Sequence, residues 1–123
     1  LLVRVNEKMK EILIENSRIP KLLSVFINIR AIALWPFIIY KDKADEISLN
    51  HERIHFAQQR ELWFVGFYLL YVYYWLKNMV VFRLNPAEAY RTSPFEYEAY
   101  FNQDNMVYLA IRDPFAWRKF RFK

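Results

Sequence analysis

The chain has 123 residues, of which 55% are hydrophobic, 20% aromatic and 25% charged, with a single glycine and no cysteine. That length fits one domain around one core, and so much apolar material excludes a disordered chain. The absence of cysteine excludes disulfides, iron–sulfur clusters and cysteine-held zinc, while the net charge of +5, gathered toward the ends, suits an anionic surface or a solvated chain end.

Leu1 to Asn6 passes directly into charged residues and carries no signal-peptide pattern. Between residues 5 and 17, Val5, Met9, Ile12 and Leu13 share one stripe, which predicts an amphipathic N-terminal helix. Pro20 interrupts, and the apolar run from Lys21 to Arg30 reads as a short helix or irregular segment. Residues 31–40 (AIALWPFIIY) are β-branched and aromatic, and Pro36, which lacks an N–H, restricts them to an edge strand.

After the polar turn 41–45, Asp45 or Ser48 can cap a helix. No breaker except Gly66 follows before Lys77, so one helix is expected over 48–82, kinked near Gly66. Its second half, Leu62 to Leu76, is apolar for fifteen consecutive residues, short of the roughly 20 that a membrane span needs. Its tyrosines and tryptophans suit a core, a membrane surface or a protein partner, and Trp63, Phe67, Leu70, Tyr71 and Tyr74 form a stripe of core or partner-facing character. Asn85-Pro86 marks a turn, Ala87 to Arg91 a further helical turn, and Ser93-Pro94 opens a helix over 93–112 bearing Glu96 and Glu98. Asp113-Pro114 stops it, leaving a basic aromatic tail over 113–123. The architecture expected is mainly α: one domain with a long helix, a second glutamate-bearing helix and one or two short edge strands.

Both histidines of the chain lie in His51-Glu52-Arg53-Ile54-His55. With about 3.6 residues per turn, residues four apart share a face, so both imidazoles can reach one ion at about 2.0–2.1 Å. Glu52, on the adjacent edge, can hold a water and take its proton as it attacks a carbonyl. This is the HExxH arrangement of hydrolytic zinc sites. Two histidines leave such a site one protein ligand short. Glu61 is unsuitable, because an unbroken helix carries it roughly 9 Å of rise beyond His55 and off its face.

The stretch His51 to Gln59 (HERIHFAQQ), with the later Phe95-Glu96-Tyr97-Glu98-Ala99-Tyr100, resembles small bacterial gluzincin-like domains that pair HExxHxxQQ with ExEAD. It is also similar to the E-x-x-A-D segment of gluzincins of the membrane-protease and heat-shock-protease type. The resemblance covers about the middle half of the chain and implies a minimal zincin-like domain with a zinc ion. It makes Glu96 the third ligand, with Glu98 the competitor, since residues two apart on a helix cannot both face the metal. The family's aspartate is Tyr100 here, which removes the usual support of a histidine ligand; Gln58, one turn after His55, can hydrogen-bond a group behind the ligands or lie at the surface. Tyr90, Arg91, Tyr97 and Tyr100 are candidates to stabilise an oxyanion. By the same resemblance, the strand at 31–40 lies beside the active-site helix and pairs with an extended peptide.

The function expected is a zinc-dependent metallopeptidase acting on a peptide or protein substrate, with Glu52 as catalytic base and His51, His55 and Glu96 on the metal. The alternative is a non-catalytic metal-binding subunit or membrane-surface adaptor that docks through residues 62–82. Nucleic-acid binding is disfavoured, because the basic residues form no continuous helix face. The compartment is left open.

Overall fold

A computed structural model describes residues 1–7, 10–24 and 29–121. Met9, Val25, Phe26, Ile27, Phe122 and Lys123, used in the sequence reading, lie outside them. In chain order the elements are β1 (Leu2–Asn6), β2 (Glu11–Glu15), α1 (Ile19–Leu23), β3 (Ala31–Leu34), β4 (Phe37–Tyr40), α2 (Glu46–Glu61), α3 (Val65–Val80), α4 (Pro86–Arg91), α5 (Pro94–Asn102), α6 (Tyr108–Ile111) and a 3-10 turn at Ala116–Phe120. The class is mainly α with a small sheet.

Residues 5–7 and 10–17 are not helical. β1 and β2 form an antiparallel hairpin in register Asn6↔Glu11 to Leu2↔Glu15, turned at Lys10 with φ 53°. The controlling period is two: Glu11, Leu13 and Glu15 are buried on one face while Ile12 and Ile14 face the other. The buried glutamates are paired. Glu11 receives Arg53 of α2 at 2.6 Å, and Glu15 receives Arg4 at 2.8 Å and the Ala44 N–H at 2.6 Å. A helical stripe through Val5, Ile12 and Leu13 ignored what their β-branched neighbours prefer.

The strand expected over 31–40 is a hairpin. Pro36 sits in the turn after a cis Trp35-Pro36 bond, where its missing N–H breaks no ladder. The sheet order is β1-β2-β4-β3, with β4 parallel to β2 and β3 on the edge. Leu13, Ala33, Ile38 and Tyr40 pack their common face against Phe56 of α2.

The helix expected over 48–82 is two helices, broken ahead of Gly66 at Trp63 (φ 56°) and Phe64 (φ 62°). The Phe64 N–H reaches back to the Gln59 carbonyl at 2.8 Å, closing α2 as a glycine usually would. Positive φ at bulky residues costs of order 1 kcal/mol or more each. It is offset by tertiary packing: Phe64 meets Trp35 of the hairpin, with ring centroids 5.4 Å apart. α3 then places Phe67 against Phe95 of α5 and Trp117, with Leu70, Tyr71 and Tyr74 packed around them. Trp63 departs from that stripe and is 87% exposed.

The helix expected over 93–112 ends at Asn102. The Asn50 side chain of α2 donates to the carbonyls of Gln103 (2.8 Å) and Asn105 (3.0 Å), and these bonds hold the chain in a turn. Residues 113–121 are not a free tail, since Ala116 and Trp117 are buried. The Arg112 side chain, basic and near the end of the chain, is only 6% exposed and ion-paired with Glu61 and Glu98.

Candidate metal centre

α2 contributes residues at positions four apart to one face, and α5 crosses that face with its first turn. Ser93 and Pro94 start α5 so that Glu96 enters between the two imidazoles. Its Oε1 lies 2.9 Å from His51 Nε2, and its Oε2 lies 3.1 Å from His55 Nε2. The three residues are buried, and their ligand atoms all lie within 4.8 Å of one another. Ligands of a tetrahedral ion at about 2.0–2.1 Å stand about 3.3 Å apart, so one ion fits with small adjustments. His51, His55 and Glu96 could hold a metal ion, and their spacing is compatible with zinc.

The buried His55 Nε2 has no hydrogen-bond partner among the described residues. Its charge contact with Glu96 does not meet hydrogen-bond geometry. Once its proton is shed, that ring nitrogen and the neighbouring carboxylate oxygen form a donor set that a cation completes.

The ring orientations are determined by glutamines. Gln58 is fully buried, and its Nε2 donates to the Phe95 carbonyl (3.1 Å) and to Glu98 Oε1 (3.0 Å). Those two acceptors fix the amide, so Gln58 Oε1 faces His55 Nδ1 at 2.8 Å and must accept its proton. His55 Nε2 is thereby left for the ion. Gln103 Oε1 does the same for His51 Nδ1 at 2.9 Å. Tyr100 packs against the His51 ring edge-on, with centroids 4.5 Å apart. Support of the histidines is therefore present, from neutral amides and an aromatic ring rather than a carboxylate.

Glu98 faces away from the triad. It accepts from Gln58, from the Tyr108 hydroxyl (2.8 Å) and from Arg112 Nε (2.5 Å), and Arg112 in turn grips Glu61 through both Nη atoms. The two glutamates rejected or left in competition as ligands thus form the buried clamp behind the site. Burial disfavours the Arg112 charge, yet Glu98 and Glu61 hold its proton more firmly than usual.

Burial opposes ionisation of Glu96, but the adjacent His55 and His51 outweigh it and hold the carboxyl far below its ordinary range. Burial likewise opposes the charge on His55, and the Glu96 carboxylate overcomes it, raising this imidazole from 6.5 to about 9 when no ion is bound. Glu52 is pushed up by burial, partly countered by the two histidines. Its carboxylate makes no hydrogen bond or ion pair among the described residues. Tyr71 donates to Glu96 Oε2 at 2.7 Å, and burial raises its hydroxyl pKa further.

Two clefts meet at Glu52. One, of about 260 Å³, is apolar and runs between β3 and α3, bounded by Ala33, Leu34, Phe67, Tyr68, His55 and Glu96. The other, of about 230 Å³, is more polar and includes His51, Ser48, Arg30, Tyr100 and Gln103. Tyr90 lines both. Arg91 and Tyr97 lie outside both and border a separate surface hollow with Tyr100 and Phe101.

Gln103, Tyr71 and Arg112 were not singled out as site residues in the sequence. Gln103 lies beyond the end of α5 with no motif to mark it, and Tyr71 looks like any other aromatic of the α3 stripe. No protein-family profile, curated protein or solved structure matches this chain. The metal centre therefore rests on its own geometry.

Proposed function

We propose that the chain is a zinc-dependent peptide hydrolase of gluzincin-like type, with His51, His55 and Glu96 holding the metal and Glu52 as general base. The observation that carries this reading is Glu52: a buried carboxylate with no hydrogen bond or ion pair among the described residues, placed where two clefts meet over the triad. A buried carboxylate with a structural role is normally paired; one left free in a cleft beside a metal triad is suited to move protons. A zinc ion bound there would supply a Lewis acid for the substrate carbonyl. Glu52 orients the attacking water, accepts its proton and returns it to the leaving amine. Tyr90, lining both clefts, is the tyrosine best placed to donate to the developing oxyanion.

The open edge of β3 supports an extended substrate. Gln59 already satisfies the Ala33 carbonyl (2.7 Å) and the Trp35 N–H (3.1 Å) there, so a peptide would pair with the stretch before Ala33.

The test is metal content of the purified chain and of its Glu96→Ala, Glu98→Gln and Glu52→Gln variants, alongside cleavage of a quenched peptide library. The proposal expects about one zinc per chain, lost in Glu96→Ala, retained in the other two, with cleavage abolished in Glu52→Gln. Metal without cleavage by the parent would favour the non-catalytic metal-binding module. No metal in the parent would remove both readings.

A further inference from the structure

α3 has two unlike faces. Phe67, Leu70, Tyr71, Tyr74 and Asn78 turn inward onto α5, α4 and Trp117. The opposite stripe, Val65, Leu69, Val72, Leu76 and Val80, follows helical spacing and is exposed, with Leu69 at 69% and Val80 at 74%. A surface helix normally places polar and charged residues there. At its head the 87%-exposed Trp63 stands beside the hairpin tip, where Trp35 and Leu34 are also exposed. The Trp35–Phe64 ring contact joins these two parts into one rim, and Leu34 and Tyr68 of that rim are also walls of the apolar cleft.

The charges around this surface point to its occupant. Between Leu62 and Ala87 there is no acidic residue; the charges are Lys77 and Arg83, with Arg60 exposed just before, while of the flanking acids Glu61 is paired with Arg112 and Glu88 belongs to α4, which packs on the inward face. The Lys77 ammonium lies over the Tyr73 ring, 6.0 Å from its centroid, near the C-terminal end of the helix. A second copy docking through this stripe would bring cations toward cations with no carboxylate from the segment to pair them. An anionic lipid surface pairs with both components: headgroups with the cations, acyl chains with the valines and leucines, and the interfacial zone with tryptophan and tyrosine. The helix is about 24 Å long. Among the described residues no helix is long and apolar enough to cross a membrane, which favours a helix lying in the interface.

We infer that the outward face of α3, with the tip of the β3–β4 hairpin, is a docking surface for anionic lipid bilayers, so that the apolar cleft opens at the membrane plane. This does not depend on hydrolytic activity.

The test uses the full chain with phosphatidylcholine vesicles, with and without phosphatidylglycerol, read by co-sedimentation and tryptophan emission. The parent should partition onto the anionic vesicles, less onto the neutral ones, with a blue shift of emission. A Leu69→Glu/Val72→Glu variant should lose about tenfold or more in partitioning while keeping its circular dichroism and metal content. Val107→Glu/Ile111→Glu, an equal pair of changes at exposed apolar positions elsewhere, should leave partitioning unchanged. Absence of binding by the parent, or equal loss in Val107→Glu/Ile111→Glu, would overturn the inference. So would a concentration-dependent dimer that Leu69→Glu/Val72→Glu dissolves while the parent ignores vesicles, because the occupant would then be a second copy.

Discussion

Replacing Arg112 by methionine keeps most of the side chain's apolar volume and removes its charge. The Arg112 side chain is 6% exposed and stands between those of Glu98, which is fully buried, and Glu61, which is 14% exposed. Four hydrogen bonds of 2.5–3.1 Å join the guanidinium to these carboxylates. Without it, Glu98 is left as an uncompensated buried charge, a loss of about 3–5 kcal/mol. Against a total stability of about 5–15 kcal/mol, that is a large fraction. Glu61 can turn to water; Glu98 cannot. A Glu98→Gln/Arg112→Met double variant should therefore recover about 1–2 kcal/mol of the loss, since both partners of the buried pair are neutralised together. Urea unfolding in the presence of chelator, with midpoints compared at constant slope, separates this from metal binding. A single-variant cost below about 1 kcal/mol, or a double variant less stable than the single, would refute the clamp.

Gln103→Leu should weaken zinc binding by about 10–100-fold, because His51 loses the acceptor that fixes its ring; chelator competition measures this, and unchanged affinity would remove Gln103 from the site. Zinc loading at pH 7 should release protons, since His55 in the metal-free chain holds its proton up to about 9 and a ligand nitrogen must shed it. This folded value lies above the ordinary 6.5. The contribution of His55 to metal-free stability is thus full below 6.5 and lost as pH rises through about 9, while zinc affinity increases over that window. Calorimetry in buffers of different ionisation enthalpy would show the release, and none at pH 7 would contradict it. Trp117→Ala should cost about 3–5 kcal/mol. Trp117→Phe should cost far less, because Trp117 Nε1 is buried with no hydrogen-bond partner among the described residues and its removal relieves that penalty. Thermal unfolding of the pair decides, and equal destabilisation would count against the argument.

Much of the candidate metal centre was legible in the sequence because its decisive relation is local. His51 and His55 share a face by the pitch of the helix alone, Pro94 and Ser93 mark where the second helix begins, and Glu52 is adjacent to the motif. The elements misread are those decided by distant partners. Val5, Ile12 and Leu13 fit a helical stripe until Arg53 and Arg4 arrive to pair Glu11 and Glu15, which then permits two glutamates on the inner face of a strand. Nothing in the residues 62–66 announces a break before the glycine; the Trp35–Phe64 contact and the packing of Phe67 on Phe95 and Trp117 impose it.

The choice between Glu96 and Glu98 shows the same division. Helical geometry determines that only one of them can face the histidines, and a residue spacing carries that far. Which one it is depends on Arg112 and Gln58, which take Glu98 to the far side and leave Glu96 facing the imidazoles. A local motif supplies donors and their spacing through the regular geometry of the helix. Charge pairing between segments remote in sequence decides which carboxylate stays free for the metal, and this exists only once the chain has folded.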